Sequence, residues 1–149
     1  MRLLILAVAL TLAALHPATA DDRLVVKASP YGAGETLDRL TEVLTAKGIT
    51  VFARVDHAAG AAKVGQELAP TQLLIFGNPK LGTPLMQANR KMGLDLPMKV
   101  LAYEQGGKTF VTYVRPNELK DRHGIADRDK VFQTMTGALD NLTNAAIAE

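Results

Sequence analysis

The spacing of apolar residues along the chain alternates between the period of a strand and the period of a helix. Runs of alternating or continuous apolar residues predict five strands, at residues 24–28, 49–55, 73–76, 100–104 and 109–114. In the second run the apolar residues alternate with Thr50, Phe52 and Arg54, as in a strand with one buried face. The third run is continuously apolar, which predicts a strand buried on both faces.

Helical spacing and capping residues predict the helices between and after these strands. The first two occupy residues 35–47 and 58–68, and a third begins with Thr83 as N-cap and Pro84 as first helical residue and ends near Met92. A short helical turn ends at His123. The last helix has Asp127 as its N-cap, and its apolar face holds Val131, Phe132, Met135, Leu139 and Leu142.

These elements follow one another in the order β-α-β-α-β-α-β-β-α. The Gln105-Gly106-Gly107-Lys108 turn joins the last two strands as a hairpin, which makes them antiparallel neighbours. No linker, repeat or low-complexity tract divides the chain. The pattern therefore predicts a single α+β domain with a mixed or antiparallel sheet.

The first twenty residues are interpreted separately from the domain. Arg2 precedes an apolar run at residues 3–15, and Ala18-Thr19-Ala20 is the small-x-small pattern of a signal-peptide cleavage site. The run is too short to cross a hydrocarbon core of ~30 Å as a helix. We predict cleavage after Ala20, a periplasmic or secreted location, and a domain formed by residues 21–149; a retained anchor is the alternative.

Composition excludes several classes of protein. An apolar fraction of 48% excludes a disordered chain, and a net charge of +2 is too small to indicate a nucleic-acid binder. The absence of Cys excludes thiolate metal sites, disulfides and a cysteine nucleophile. Ser29 is the only serine, and no Gly-x-Ser-x-Gly elbow surrounds it, which excludes a serine hydrolase. No cofactor is expected.

Several motifs occur in an order that resembles one known family. They are Val55-Asp56-His57, Leu68-Ala69-Pro70-Thr71, Phe76-Gly77-Asn78-Pro79-Lys80, Gly82-Thr83-Pro84-Leu85-Met86 and Leu94-Asp95-Leu96-Pro97-Met98-Lys99. Over about residues 24–142 the chain resembles the domain of unknown function 302 (DUF302) family of small bacterial and archaeal proteins. The resemblance implies a curved, mainly antiparallel sheet with helices on one side, as in the TATA-binding-protein-like arrangement, and a homodimer. It implies no reaction.

The segment of residues 77–83, from Gly77 to Thr83, is the main candidate site. It joins a buried strand to a helix start, where free backbone N–H groups and the helix dipole favour an anion, and Lys80 adds a positive charge. The segment lacks the lysine that a P-loop requires, and Pro79 has no N–H, so nucleotide hydrolysis is not expected. The favoured interpretation is nevertheless a structural turn in which the glycines take positive φ and Asn78 bonds to the backbone.

Two further pairs of residues are candidates. Asp56 and His57 could form a general base or a metal site, although the favoured interpretation is that Asp56 caps the following helix. Asp95 and Lys99 either shape a turn or line the same cleft as the 77–83 segment, since residues 80–99 carry four basic residues and one acidic residue.

Metal binding is not predicted. His123 is interpreted as an exposed helix end, and the two histidines that follow the signal peptide have no ligand spacing. Met86, Met92 and Met98 lie six residues apart, which favours core or interface packing over copper binding.

Three functions remain open. The leading one is an exported, non-catalytic domain that binds a small or anionic ligand, as a dimer. The second is an acid/base enzyme, and the third is a structural or partner-binding module. A pocket that contains both His57 and Asn78 would favour the first two. The candidate ligand-binding residues are Asp56, His57, Gly77, Asn78, Lys80, Gly82, Thr83, Asp95 and Lys99.

Overall fold

The computed structural model describes residues 22–149, so the signal peptide predicted at residues 1–20 lies outside the described residues. A 3-10 turn occupies Arg90–Leu94. The strands and longer helices are β1 Leu24–Ser29, α1 Ala33–Ala46, β2 Thr50–Asp56, α2 His57–Lys63, β3 Thr71–Gly77, α3 Pro79–Ala88, β4 Met98–Gln105, β5 Lys108–Val114, α4 Pro116–Arg122 and α5 Asp129–Ile147. The predicted order is confirmed, with the final helical region divided into α4 and α5.

The five strands form one sheet in the order β1-β5-β4-β3-β2, and every neighbouring pair is antiparallel. β4 therefore lies at the centre, and β1 and β2 are the edges. The β4–β5 hairpin turns at Gly106 and Gly107, whose φ angles of 59° and 73° are readily adopted only by glycine in a two-residue turn. The predicted α+β class and hairpin are confirmed.

The core lies on one side of the sheet. Its sheet residues alternate along the strands, for example Leu74 and Phe76 on β3 and Val100 and Ala102 on β4. α1 packs against β2, β3, β4 and β5, and α5 packs against α1, α3 and α4. The predicted face of α5 is confirmed, because the side chains of Phe132, Met135, Leu139 and Leu142 are all buried. Met92 and Met98 are also buried, as predicted.

The prediction that β3 is buried on both faces is wrong. Leu74 and Phe76 are buried in the core, whereas Leu73 and Ile75, which point to the other side, are only half-buried. The helices that contribute buried residues pack on the side of Leu74 and Phe76. α2 also contacts β3 but buries none of its own residues, and Leu73 and Ile75 stay partly open to solvent.

A β-bulge interrupts the alternation predicted for the second strand. Val51 pairs with Phe76 and Ala53 pairs with Ile75, so the register shifts at Phe52. Ile49 and Val51 consequently pack against the core, while Ala53 lies beyond the bulge on the opposite face. Phe52 itself is 55% exposed on an edge strand.

α2 is shorter than the helix predicted at residues 58–68 and buries none of its residues. It ends at Lys63, and Gly65 follows with a positive φ of 72°, which favours glycine and terminates the helical path. Within residues 22–149, no helix has both the length and the apolar character needed to span a bilayer.

Candidate functional site

Helix α3 begins five residues earlier than the sequence predicted. Asn78, not Thr83, is its N-cap, and the Asn78 side chain accepts a hydrogen bond of 3.0 Å from the Lys80 backbone N–H. Asn is at least as good a cap as Thr, and Pro79 supplies the same first-position proline that Pro84 was expected to supply. Pro84 therefore lies inside α3, where it cannot donate to the carbonyl four residues before it. The helix also ends at Ala88 rather than near Met92.

The backbone donors in the first turn of α3 have partners within the segment itself. Lys80 N–H donates to the Asn78 side chain, and the N–H groups of Leu81 and Gly82 each donate to the Asn78 carbonyl at 3.0 Å. Pro79 has no N–H. The Lys80 ammonium is thus the group of this turn that remains available to an anion.

Neither Gly77 nor Gly82 has a positive φ, contrary to the turn interpretation. The described positive-φ glycines are all elsewhere in the chain. Gly77 is needed for close approach instead, since a Cβ atom there would lie 3.3 Å from the Pro97 Cβ and 3.6 Å from the Phe52 ring. The glycine lets the loop before β4 lie directly against the end of β3.

Beside this segment lies an open cleft of about 230 Å³ between α3, α5, the start of β2 and the loop that precedes β4. Its surface is almost entirely apolar. Prominent lining residues are Phe52, Leu81, Met86, Leu96, Met135 and Leu139. An apolar, concave surface with few polar groups is the usual character of a small-molecule site.

Four of the predicted site residues line this cleft: Gly77, Asn78, Gly82 and Thr83. Lys80 is exposed and lies in the chain between the lining residues Pro79 and Leu81, although it is not itself part of the lining. The apolar residues that make most of the surface were not predicted as site residues, because an exposed Phe and scattered methionines have no distinctive spacing.

Asp56 and His57 lie at the other end of the β2–β3 pair. Gly77 pairs with Thr50, whereas Asp56 pairs with Gln72. Gly77 lies five positions beyond Gln72 on β3, a distance of roughly 17 Å along an extended strand. The cleft therefore contains Asn78 but not His57, and the structure does not bring the Asp56-His57 pair and the 77–83 segment into one site.

The capping interpretation of Asp56 is confirmed. Its carboxylate accepts a hydrogen bond of 2.8 Å from the Ala59 backbone N–H at the start of α2, and a second of 3.1 Å from the Gln72 side chain. His57 is the first residue of α2 and is exposed.

Asp95 belongs to a polar cluster with the end of α4. One carboxylate oxygen lies 2.6 Å from His123 Nε2, and the other accepts a hydrogen bond of 2.9 Å from Arg122. Burial raises the pKa of the Asp95 carboxyl, but the hydrogen bond with His123 and the charge of Arg122 outweigh it and leave the pKa below its ordinary value. The expectation that His123 is an exposed helix end is wrong, because its side chain is only 7% exposed.

This Asp95–Arg122–His123 cluster holds one wall of the cleft. Asp95 immediately precedes Leu96 and Pro97, which line the cleft, so its two bonds fix that loop to α4. Lys99 follows the loop, and its ammonium donates to the backbone carbonyls of Asp95 at 2.8 Å and Pro97 at 3.1 Å. Asp95 and Lys99 thus shape the turn and do not line the cleft themselves.

In the part of the chain that the structure describes, no three His, Asp or Glu side chains are grouped so that they could hold a metal ion. The same residues include no buried side-chain nitrogen or oxygen without a hydrogen-bond partner. The buried polar side chains of these residues therefore all have hydrogen-bond partners within the protein. The surface of the cleft itself is apolar.

Curated proteins with similar sequences carry the name of an ion channel. The chain is 40% identical over 131 residues to "Fluoride-specific ion channel FluC 1" of Brucella suis biovar 1 (strain 1330), which covers 87% of this chain and 52% of that protein. It is also 40% identical to FluC 1 of Brucella abortus biovar 1 and to FluC 2 of Brucella melitensis biotype 1, covering 48% of each. The chain spans about half the length of the curated relatives it matches.

Among solved structures, the fold is similar to the crystal structure of an uncharacterized conserved DUF302 protein from Bacillus stearothermophilus. The TM-score is 0.77 at 20% identity, over 84% of this chain and 98% of that one. The sequence profile described as "Domain of unknown function DUF302" matches residues 25–142, close to the interval over which the motifs resemble that family. The chain therefore belongs to the DUF302 family.

Proposed function

We propose that this domain binds a small, largely apolar ligand in the cleft between α3 and α5, without catalysis. The observation that carries the proposal is the cleft's lining, in which Phe52, Leu81, Met86, Leu96 and Met135 surround an open volume of about 230 Å³. Removing apolar ligand surface from water gives roughly 25 cal/mol per Å² of driving force. The wide separation of His57 from the 77–83 segment gives the acid/base alternative no common site.

The size of the cleft limits the ligand. An apolar cavity of about 150 Å³ is known to hold benzene, so a cleft of about 230 Å³ accommodates a somewhat larger group, such as a medium acyl chain or a substituted ring. An anionic end on that ligand would pair with Lys80, whose ammonium is exposed in the first turn of α3. Octanoate and octanol are suitable probes because they share a chain and differ in charge.

We expect both probes to raise the unfolding temperature of the protein, since a ligand that binds only the native state stabilises it. Ala138→Trp should reduce probe binding at least ~10-fold, because the indole fills the cleft that Ala138 lines. Ala145→Trp is the matched control on the same helix; Ala145 is exposed, does not line the cleft and should leave binding unchanged. Equal binding by both variants, or no binding by the parent protein, would contradict the cleft proposal.

The charged probe tests the anionic part of the proposal in the same titration. Lys80→Ala should weaken octanoate binding about 2–5-fold and leave octanol binding unchanged, because an exposed ion pair contributes up to ~1 kcal/mol. Lys63→Ala, which removes an exposed lysine from α2, is the control. If Lys80→Ala affects the binding of neither probe, the proposal that the ligand has an anionic end is wrong and the ligand is purely apolar.

A second function is favoured by the names of the curated relatives. We propose that the domain assists an anion channel in the cell envelope. The support is the 40% identity to proteins named fluoride-specific ion channels, of which this chain matches about half. The proposed periplasmic or secreted location would give the domain access to the outer side of such a channel.

Deletion of the gene from its source organism tests this second function. If the domain assists fluoride export, the deletion strain should be inhibited by sodium fluoride at lower concentrations than the parent, and re-expression should restore tolerance. Sodium chloride at the same concentrations controls for salt stress. Unchanged fluoride tolerance in the deletion strain would count against a role beside the channel and would leave the ligand-binding proposal unaffected.

A further inference from the structure

The side of the sheet opposite the buried core carries a row of uncharged, mostly apolar side chains that runs from one edge to the other. Strand register places Val26, Thr112, Leu101, Leu73 and Val55 in a single row across β1, β5, β4, β3 and β2. Directly opposed residues in antiparallel strands point to the same side. The buried core residues of these strands are the sequence neighbours of this row, so the row points away from the core. We call this side the open face.

Two further rows extend the open face on either side of the first. Phe110 pairs with Ala28 and Tyr103, and the two aromatic rings lie 5.5 Å apart between centroids. On the other side, Leu24 pairs with Val114, and Lys99 on the central strand pairs with Ile75. The helices that bury side chains, α1, α3, α4 and α5, all pack on the opposite side. Val26 is consequently 50% exposed.

The distribution of charge is the reverse of that in an ordinary two-layer domain. A sheet face in contact with water is normally polar. Here the basic residues of the edge strands, Lys27 and Arg54, turn toward the helices, where they bond to Asp140 on α5 and Asp38 on α1. On the central strand, the Lys99 ammonium is held by backbone carbonyls at the end of the strand. The middle of the open face is left without charge.

We propose that the open face is the interface of a homodimer in which two copies pack sheet against sheet. Five strands spaced ~4.8 Å apart and three rows of side chains define a patch of roughly 24 by 20 Å. A patch of that extent supplies most of the roughly 800 Å² that each partner buries in a stable interface. A two-fold axis through β4 would place Leu101 against its own copy, with the two sheets about 10 Å apart.

A second copy fits this surface because the surface is complementary to itself. The row through Leu101 carries no charge, and the lysines of the face, Lys99 and Lys108, lie on opposite sides of that row. An isologous interface brings identical patches together, so a central charge would repel its own copy. The open face is on the opposite side of the sheet from the ligand cleft. A substitution on the open face can therefore disrupt the dimer without affecting ligand binding, and the two proposals are tested separately.

Sedimentation velocity of the purified protein without the predicted signal peptide at residues 1–20, from about 1 to about 100 µM, tests the proposal. We expect a species of twice the mass of the single chain. Leu101→Glu should raise the dimer dissociation constant about 100-fold or more, because it buries an unpaired charge at the centre of the interface. Val26→Glu, at an exposed position that tolerates the change in the monomer, should raise it about 10-fold with an unchanged circular dichroism spectrum.

Leu94→Glu is the matched control, since Leu94 is 82% exposed on the 3-10 turn and lies outside the open face. The dimer should survive this change. The proposal is overturned by a parent protein that stays monomeric across the concentration range. It is equally overturned if folded Val26→Glu dimerises like the parent, or if Leu94→Glu weakens the dimer as much as Val26→Glu does. If Leu101→Glu does not fold, the comparison of Val26→Glu with Leu94→Glu decides the question.

Discussion

Leu139→Ala is expected to lower the free energy of unfolding by about 2–5 kcal/mol, the range for removing a buried leucine side chain from a core. Leu139 is 3% exposed on the buried face of α5, the helix that packs against α1. It also lines the apolar cleft. The space left by the substitution joins an existing opening, so the loss should lie toward the lower end of the range, about 2–3 kcal/mol.

Equilibrium unfolding in urea measures this loss as a shift of the midpoint at constant slope. Leu94→Ala is the matched control, because the same atoms are removed from a side chain that is 82% exposed. That change should stay within about 0.5 kcal/mol of the parent. A loss for Leu139→Ala as small as that for Leu94→Ala would mean that the packing face of α5 has been assigned incorrectly.

The elements that local sequence determines could be predicted closely. The apolar face of α5 repeats over several helical turns. Helical spacing alone was therefore enough to predict that four of its residues are buried. The hairpin followed from two adjacent glycines between alternating runs, and both take the positive φ that such a turn requires. Family motifs and the structure agree on the α+β class because both depend on these local signals.

Where two local signals compete, sequence alone does not choose between them. Asn78-Pro79 and Thr83-Pro84 are both good helix starts, and the earlier pair is used because β3 ends directly before it. The bulge at Phe52 is another such case, since no local rule marks the residue at which the alternation of β2 changes side. Both errors fall on the walls of the cleft, so the sequence placed the 77–83 segment correctly neither in its helix nor beside its apolar neighbours; that the segment binds a ligand stays a prediction.

Long-range contacts account for the remaining differences. Asp95 and His123 lie 28 residues apart, and their pairing depends on α4 returning to the loop before β4. Likewise, a continuously apolar strand is expected whether helices or a second copy of the chain cover its second face. For β3 the helices cover one side only, and the dimer proposed above would cover the other.

Asp95→Asn is expected to destabilise the protein by about 1–2 kcal/mol near pH 7, because it replaces charge-assisted hydrogen bonds to His123 and Arg122 with weaker ones. The folded-state pKa of Asp95 lies below the unfolded value of about 3.9, so the unfolded chain takes up the proton first as the pH falls. The contribution of the carboxylate is therefore complete above about pH 5 and declines below about pH 4. The difference between parent and variant should shrink in that acidic range.

Urea unfolding at several pH values between about 7 and 3 measures this difference directly. Asp56→Asn serves as the control, because Asn also caps a helix well and the side chain is exposed, so near pH 7 its effect should stay within about 0.5 kcal/mol. Octanoate binding adds a readout specific to the cleft. Since Asp95 fixes the loop that carries Leu96 and Pro97, Asp95→Asn should also weaken octanoate binding, whereas Asp56→Asn should not. Parallel stability profiles for parent and Asp95→Asn across the whole pH range would show that the cluster with His123 does not hold the cleft wall.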